Sequence, residues 1–127
     1  MDTGSADHDE DSFNVAVIRG VVRGDVTISE LGSGSVVHNF EVKTTGRGER
    51  HVVPVAWHDP QRPPRLGPGD EVVVAGAVRR RWFRAGGGSQ SRTELVADNV
   101  ARAGSSRART ALAAAMSMLQ SDDLSRR

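Results

Sequence analysis

The chain has no cysteine, which excludes a disulfide framework and a cysteine-built zinc knuckle and makes a reducing cytoplasm the expected setting. No run approaches the roughly 20 apolar residues that a membrane-spanning helix needs. The opening residues MDTGSADHDEDS are acidic and polar, without the apolar segment of a secretory signal. A soluble protein with no membrane partner is expected. At 127 residues the chain suffices for one domain with a modest core and is too short for two.

Patterns of catalytic chemistry are missing as well. His8, His38, His51 and His58 have no metal-ligand spacing, and His58 with Asp59 beside prolines reads as a turn. The glycine clusters LGSGS and AGGGS lack the GxGxxG or GxxxxGK[ST] spacing, between strand and helix, of a phosphate loop. No nucleophile pairs with a base. The expectation is a non-catalytic protein with no cofactor, no metal and no small-molecule substrate.

What is present is a series of β-branched runs: FNVAVIRGVV, SVVHNFEVKTT, RHVVPVAW, DEVVVAGAVRRRWF and SRTELVADNVAR. Turn signals rich in glycine or proline separate them, so five strands are expected and no helical period precedes position 105. Five short strands must hide their edges, and a small closed barrel does so. Gly20 and Gly76 lie inside apolar runs where a barrel strand has to bend. Pro60, Pro63, Pro64 and Pro68 bar a helix of normal length between strands three and four. After Gly104 the composition predicts a helix over 107–120, capped by Ser105 or Ser106, with Leu112, Met116 and Leu119 on one face. It serves either to dock a partner or to lean on the barrel. The chain thus divides into a disordered acidic leader (1–12), a barrel domain (13–104) and a tail with a helix (105–127).

The formal charge of +1 conceals a strong asymmetry. Met1 to Ser12 carries five acids and no lysine or arginine, whereas Gly76 to Arg92 carries five arginines and no acid. In GAVRRRWFRAGGGSQSRTELV those arginines flank two adjacent aromatic rings, the combination that single-stranded nucleic acid requires for its phosphates and bases. With Val72, Val74, Gly76 and Val78 inward, Arg79, Arg81 and Phe83 share the outer face, and Trp82 falls inward to close the barrel end. A β-bulge in the arginine run would exchange the two rings and make Trp82 the stacking platform. In HVVPVAW an inward phase of Val52, Pro54 and Ala56 leaves His51, Val53, Val55 and Trp57 outward, so that the tryptophan either meets a base or plugs under the proline-rich loop.

Taken together, VVHNFEV, VPVAW, GDEVVVAGAVRRRWF and TELVADNV resemble the bacterial single-stranded DNA-binding protein family over about Asn14 to Ala103. The likeness rests on an asparagine-led first strand, the VxNF of Val37 to Phe40, the aromatic Trp57, the GDxVxVxG of Gly69 to Gly76 followed by arginines and an aromatic, and the closing TELVAD. It implies an all-β, five-stranded OB-fold barrel that binds single-stranded DNA with little sequence preference, in replication, recombination or repair, and assembles as a homo-oligomer, dimer or tetramer. By position, Trp57 and Phe83 stand where the family stacks bases, with Arg79 and Arg81 on the backbone. The candidate binding residues are therefore Lys43, Arg47, Arg50, His51, Val55, Trp57, Arg79, Arg81, Trp82, Phe83, Arg84 and Arg92.

Departures from the family tilt the balance from rings towards charge. His51 replaces a tryptophan, and TTGRGER offers Arg47 and Arg50 in place of a ring. The proline-rich segment replaces a helix, and the ending SDDLSRR lacks the acidic tip, as in a shortened paralogue. The first strand is apolar on both faces, with Ala16, Ile18, Gly20 and Val22 inward and Val15, Val17 and Val21 outward, so a partner subunit or the C-terminal helix must cover it. Val15, Val17 and Val21 are the expected oligomer interface. An OB-fold assembly subunit contacting an acidic protein, and an RNA-binding barrel, use the same features.

Overall fold

The structure, a computed structural model, describes residues 12–125, with side chains to 120. The leader expected over 1–12 lies outside the described residues except for its last position. Among the described residues five strands, β1 (Ala16–Glu30), β2 (Val36–Gly46), β3 (Glu49–His58), β4 (Glu71–Ala85) and β5 (Gly88–Arg102), precede one helix, α1 (Ser106–Ser125). They close into a barrel in the order β1-β2-β3-β5-β4, with β4 returning to β1. Only the β3–β5 closure, at Val55↔Leu95 and Ala56↔Val96, is parallel. This is the OB-fold barrel with a C-terminal helix that the sequence predicts.

Closure requires glycine where strands cross. A Cβ on Gly20 would lie 2.3 Å from the Lys43 carbonyl oxygen, and one on Gly76 1.9 Å from that of Val96. Beside Gly76 the register passes from Ala75↔Asn99 to Gly76↔Ala97, a bulge that skips Asp98 on β5 and tightens the bend there. A second irregularity, between Arg23 and Thr27 of β1, bends that strand across β2.

Two hairpins carry most of the expected basic residues. The β2–β3 turn encloses Arg47 (φ 55°) and Gly48 (φ 81°), and the β4–β5 turn encloses Gly86 (φ 59°) and Gly87 (φ 82°). Positive φ at both central positions defines type I′ turns, whose twist matches that of the flanking strands. The β4–β5 ladder consequently runs unbroken from Gly76 to Ala85, beyond the part of β4 that pairs with β1.

The core consists of Val22, Phe40, Val42, Val55, Trp57, Val72, Val74, Leu95, Ala97 and Val100. It confirms the phase read for β1 and, as far as Gly76, that for β4, but Val78, expected inward, is 49% exposed, and the phase of β3 is reversed. Val55 and Trp57 are buried, Trp57 at 8% exposure, while Val52 is exposed. Register is the cause: Phe40↔Val55 and His38↔Trp57 are direct partners, and partners in a ladder share a face. Trp57 meets His38 edge to face, with centroids 6.2 Å apart.

The helix also presents a different face from the one expected, and it runs to 125 rather than 120. Ala108, Ala111 and Ala115 are buried against the barrel, and Leu119, one turn beyond Ala115, is half-buried, whereas Leu112 and Met116 are exposed. Alanine permits the close approach, with Ala108 packing on Val73 and Ala101. That contact buries the outward side of β4. Ser105 is the cap, its Oγ accepting the Ala108 N–H at 3.1 Å. Val17, at 40% exposure, remains uncovered, with Val15 and Val21 half-buried beside it.

Candidate nucleic-acid interface

The register places Arg79 opposite Glu94, Arg81 opposite Arg92 and Phe83 opposite Gln90 on one side of the β4–β5 hairpin. No bulge interrupts the arginine run, so the alternation expected for Arg79, Arg81 and Phe83 holds. Val78, Arg80, Trp82 and Arg84 occupy the other side. Trp82 is 65% exposed, which corrects its expected place in the barrel end. The hairpin has already left the barrel, so its nominally inward side faces outward. Asn14 marks this departure: its Nδ2 donates to the Val78 carbonyl at 2.7 Å and its Oδ1 accepts the Val78 N–H at 2.9 Å. Through that side chain the chain before β1 holds β4 just beyond their last paired residues.

Each ring carries an arginine. The Arg80 guanidinium lies 5.6 Å from the Trp82 centroid and that of Arg81 lies 5.4 Å from Phe83, within cation–π range. These side chains are thereby ordered on both sides of the hairpin.

Glu94 organises the outer side. Its side chain is only 2% exposed, yet it receives three guanidinium groups: Arg79 Nη2 at 2.5 Å, Arg81 Nε at 3.4 Å and Arg92 Nε at 3.9 Å. The cluster holds two positive charges in excess. Each arginine side chain is 41–45% exposed, and a guanidinium has five donors in a fixed fork, so donors remain for an external anion.

The same face continues across the barrel. Pro54 and Glu94 each precede a residue of the parallel closure, Pro54 pairs with Glu41, and Glu41 with Arg23. Arg81 and Arg92 form one wall of a groove of about 500 Å³ whose other residues include Arg23, Asp25, Thr27, Asn39 and Glu41. Lys43, opposite Val52, and Arg50, opposite Thr45, extend this face along the β2–β3 hairpin. Arg47 stands at its tip. His51 falls on the other side, as does Arg84 on its own hairpin.

The structure therefore brings Arg79, Arg81, Phe83 and Arg92 together and aligns Lys43 and Arg50 with them. It withdraws Val55 and Trp57 into the core. Sequence reasoning missed Glu94 and Arg23. Counting back from the two-residue turn pairs Arg79 with Glu94, so that partner was recoverable; Arg23 follows the bend in β1 and carried no comparable signal. His58–Asp59 is structural, with Asp59 Oδ1 accepting the Val36 N–H at 2.8 Å and the Asp59 N–H donating to the Val36 carbonyl at 2.7 Å. No helix among the described residues is long and apolar enough to cross a membrane.

Comparison with models of known families gives no match for this chain, and no curated protein matches it.

Proposed function

We propose that the protein binds single-stranded DNA with little sequence preference, without catalysis, through the outer face of the barrel and its β4–β5 hairpin. The carrying observation is the set of three arginines on the buried Glu94 carboxylate at the wall of an open polar groove. Half-exposed guanidiniums fixed in a row suit a phosphate backbone, which is recognised by charge and not by sequence. Phe83 and the exposed Trp82 supply the stacking surfaces. Trp82 takes the role that the sequence assigned to Trp57.

Binding of this kind serves replication, recombination or repair in the cytoplasm. Self-association accompanies it through the exposed Val17 row of β1. The exposed Leu112 and Met116 of α1 favour a second reading, an assembly subunit that docks a protein partner through the helix.

Anisotropy of a labelled oligo-dT, titrated at low and high salt against the corresponding oligo-U and a duplex, separates these readings. Salt-sensitive binding of the single strand in preference to the duplex supports the proposal. Preference for oligo-U turns it towards RNA. Absence of binding at low salt removes it and leaves the assembly reading.

A further inference from the structure

The barrel end beside β1 holds a second cavity, of about 580 Å³, within the range of roughly 300–1,000 Å³ usual for small-ligand sites. Its floor derives from the row Ile28↔His38↔Trp57 on the inward side of β1, β2 and β3. Among the described residues the proline-rich connection, through Pro63, Pro64 and Arg65, covers that row at this end, and Leu66 packs on the core without filling the space. Ile28 remains 63% exposed at the lip.

The cover is fixed in place. Arg102 Nη2 donates to the Arg65 carbonyl at 2.5 Å, Asp70 Oδ2 accepts the Gly67 N–H at 2.8 Å, and the Asp70 carbonyl accepts the Val22 N–H at 2.8 Å. The cavity is thus preformed. It also adjoins the arginine groove, because Asp25 and Phe40 line both. The irregularity between Arg23 and Thr27 puts Asp25 at that junction, in keeping with the tendency of bulges to re-aim side chains.

We infer that this cavity receives one nucleobase turned out of a strand lying in the groove, an inference that rests on the function proposed above. A base has two apolar faces and a polar edge with donors and acceptors. The cavity offers aromatic and aliphatic walls together with a carboxylate, an imidazole and a guanidinium, from Asp25, His38 and Arg65. Phosphates held by Arg81 and Arg92 in the adjoining groove leave a neighbouring base within reach of the opening.

Trp57 reports directly on this site. The chain has two tryptophans, so Trp82→Phe leaves Trp57 as the sole indole emitter. In that background, oligo-dT of about 16 nucleotides, the upper end of the span of one OB barrel, should change Trp57 emission as anisotropy reports binding. Millimolar thymidine monophosphate should produce the same change. Ile28→Phe, at an exposed lip position where a larger ring is tolerated, should abolish the mononucleotide response and weaken the oligomer about ten-fold, the loss of one stacked base, without altering its salt slope. Binding by anisotropy with Trp57 emission unmoved overturns the pocket and leaves the groove standing. A mononucleotide response without oligomer binding leaves a nucleotide site in the cavity but overturns its use by a strand in the groove. If neither ligand has any effect, both fall.

Discussion

Replacing Glu94 with glutamine removes one charge and almost no volume, so its consequences are electrostatic. In the native protein this carboxylate is held by Arg79, Arg81 and Arg92 at 2.5, 3.4 and 3.9 Å. Removing one partner from a buried ion pair costs about 3–5 kcal/mol. The arginines here are 41–45% exposed, and water screens part of the uncovered repulsion, which brings the expected loss to roughly 2 kcal/mol. For a domain of this size that lowers the midpoint of thermal unfolding by about 8 °C. Binding should respond differently. The variant has one more uncompensated cation facing the groove, so log K for oligo-dT against log salt should steepen by up to about 0.7, one further phosphate neutralised. Melting curves and anisotropy titrations at several salt concentrations measure both quantities. A glutamine variant that melts with the native protein and shows the same salt slope would refute the idea that Glu94 organises these arginines.

Changing Arg79 and Arg81 together to alanine should reduce the magnitude of that slope by about 1.4, two phosphates' worth, and weaken oligo-dT and oligo-dA alike; an effect confined to one sequence would mean that the arginines read bases. Trp82→Ala should weaken oligo-dT about ten-fold, from a stacking contribution of roughly 1–3 kcal/mol, with the melting temperature unchanged. Trp57→Ala should instead cost on the order of 3–5 kcal/mol of stability, the usual loss on truncating a buried ring, which a denaturant titration measures. Val17→Glu, at 40% exposure on β1, should shift any dimer or tetramer to monomer in light scattering; a native protein already monomeric at high concentration contradicts self-association through this row.

Strand number, order of runs and the two crossing glycines were legible because each leaves a local signal: β-branched runs, turn residues, and a glycine where a side chain has no room. The phase of β3 was not. HVVPVAW is apolar at nearly every position from Val52 onward, so alternation cannot say which valines face inward, and only the ladder with Phe40 and His38 decides. Trp82 was misplaced for another reason. Its inward phase was right, but the ladder continues past the barrel, where inward no longer means buried. The helix misled through size, since the larger Leu112 and Met116 suggested the apolar face while close packing on Val73 and Ala101 required alanine. Glu94 was legible in principle from hairpin counting. Its burial was not, because it depends on three arginines folding over it.

The buried carboxylate raises a question of magnitudes, since it cancels a charge that would otherwise attract phosphate. One phosphate's worth of counterion release is on the order of 1 kcal/mol near 0.15 M salt and fades as salt rises. Against that, fixing three arginine side chains before the ligand arrives avoids an ordering cost of roughly 0.5–1.5 kcal/mol for each, a term with little dependence on salt. The type I′ turn and the pairing of Arg80 with Trp82 and Arg81 with Phe83 add to the same order. If the proposed function holds, Glu94 therefore costs affinity in dilute salt and preserves it in concentrated salt. Binding curves of the native protein and of Glu94→Gln, plotted against salt, should cross.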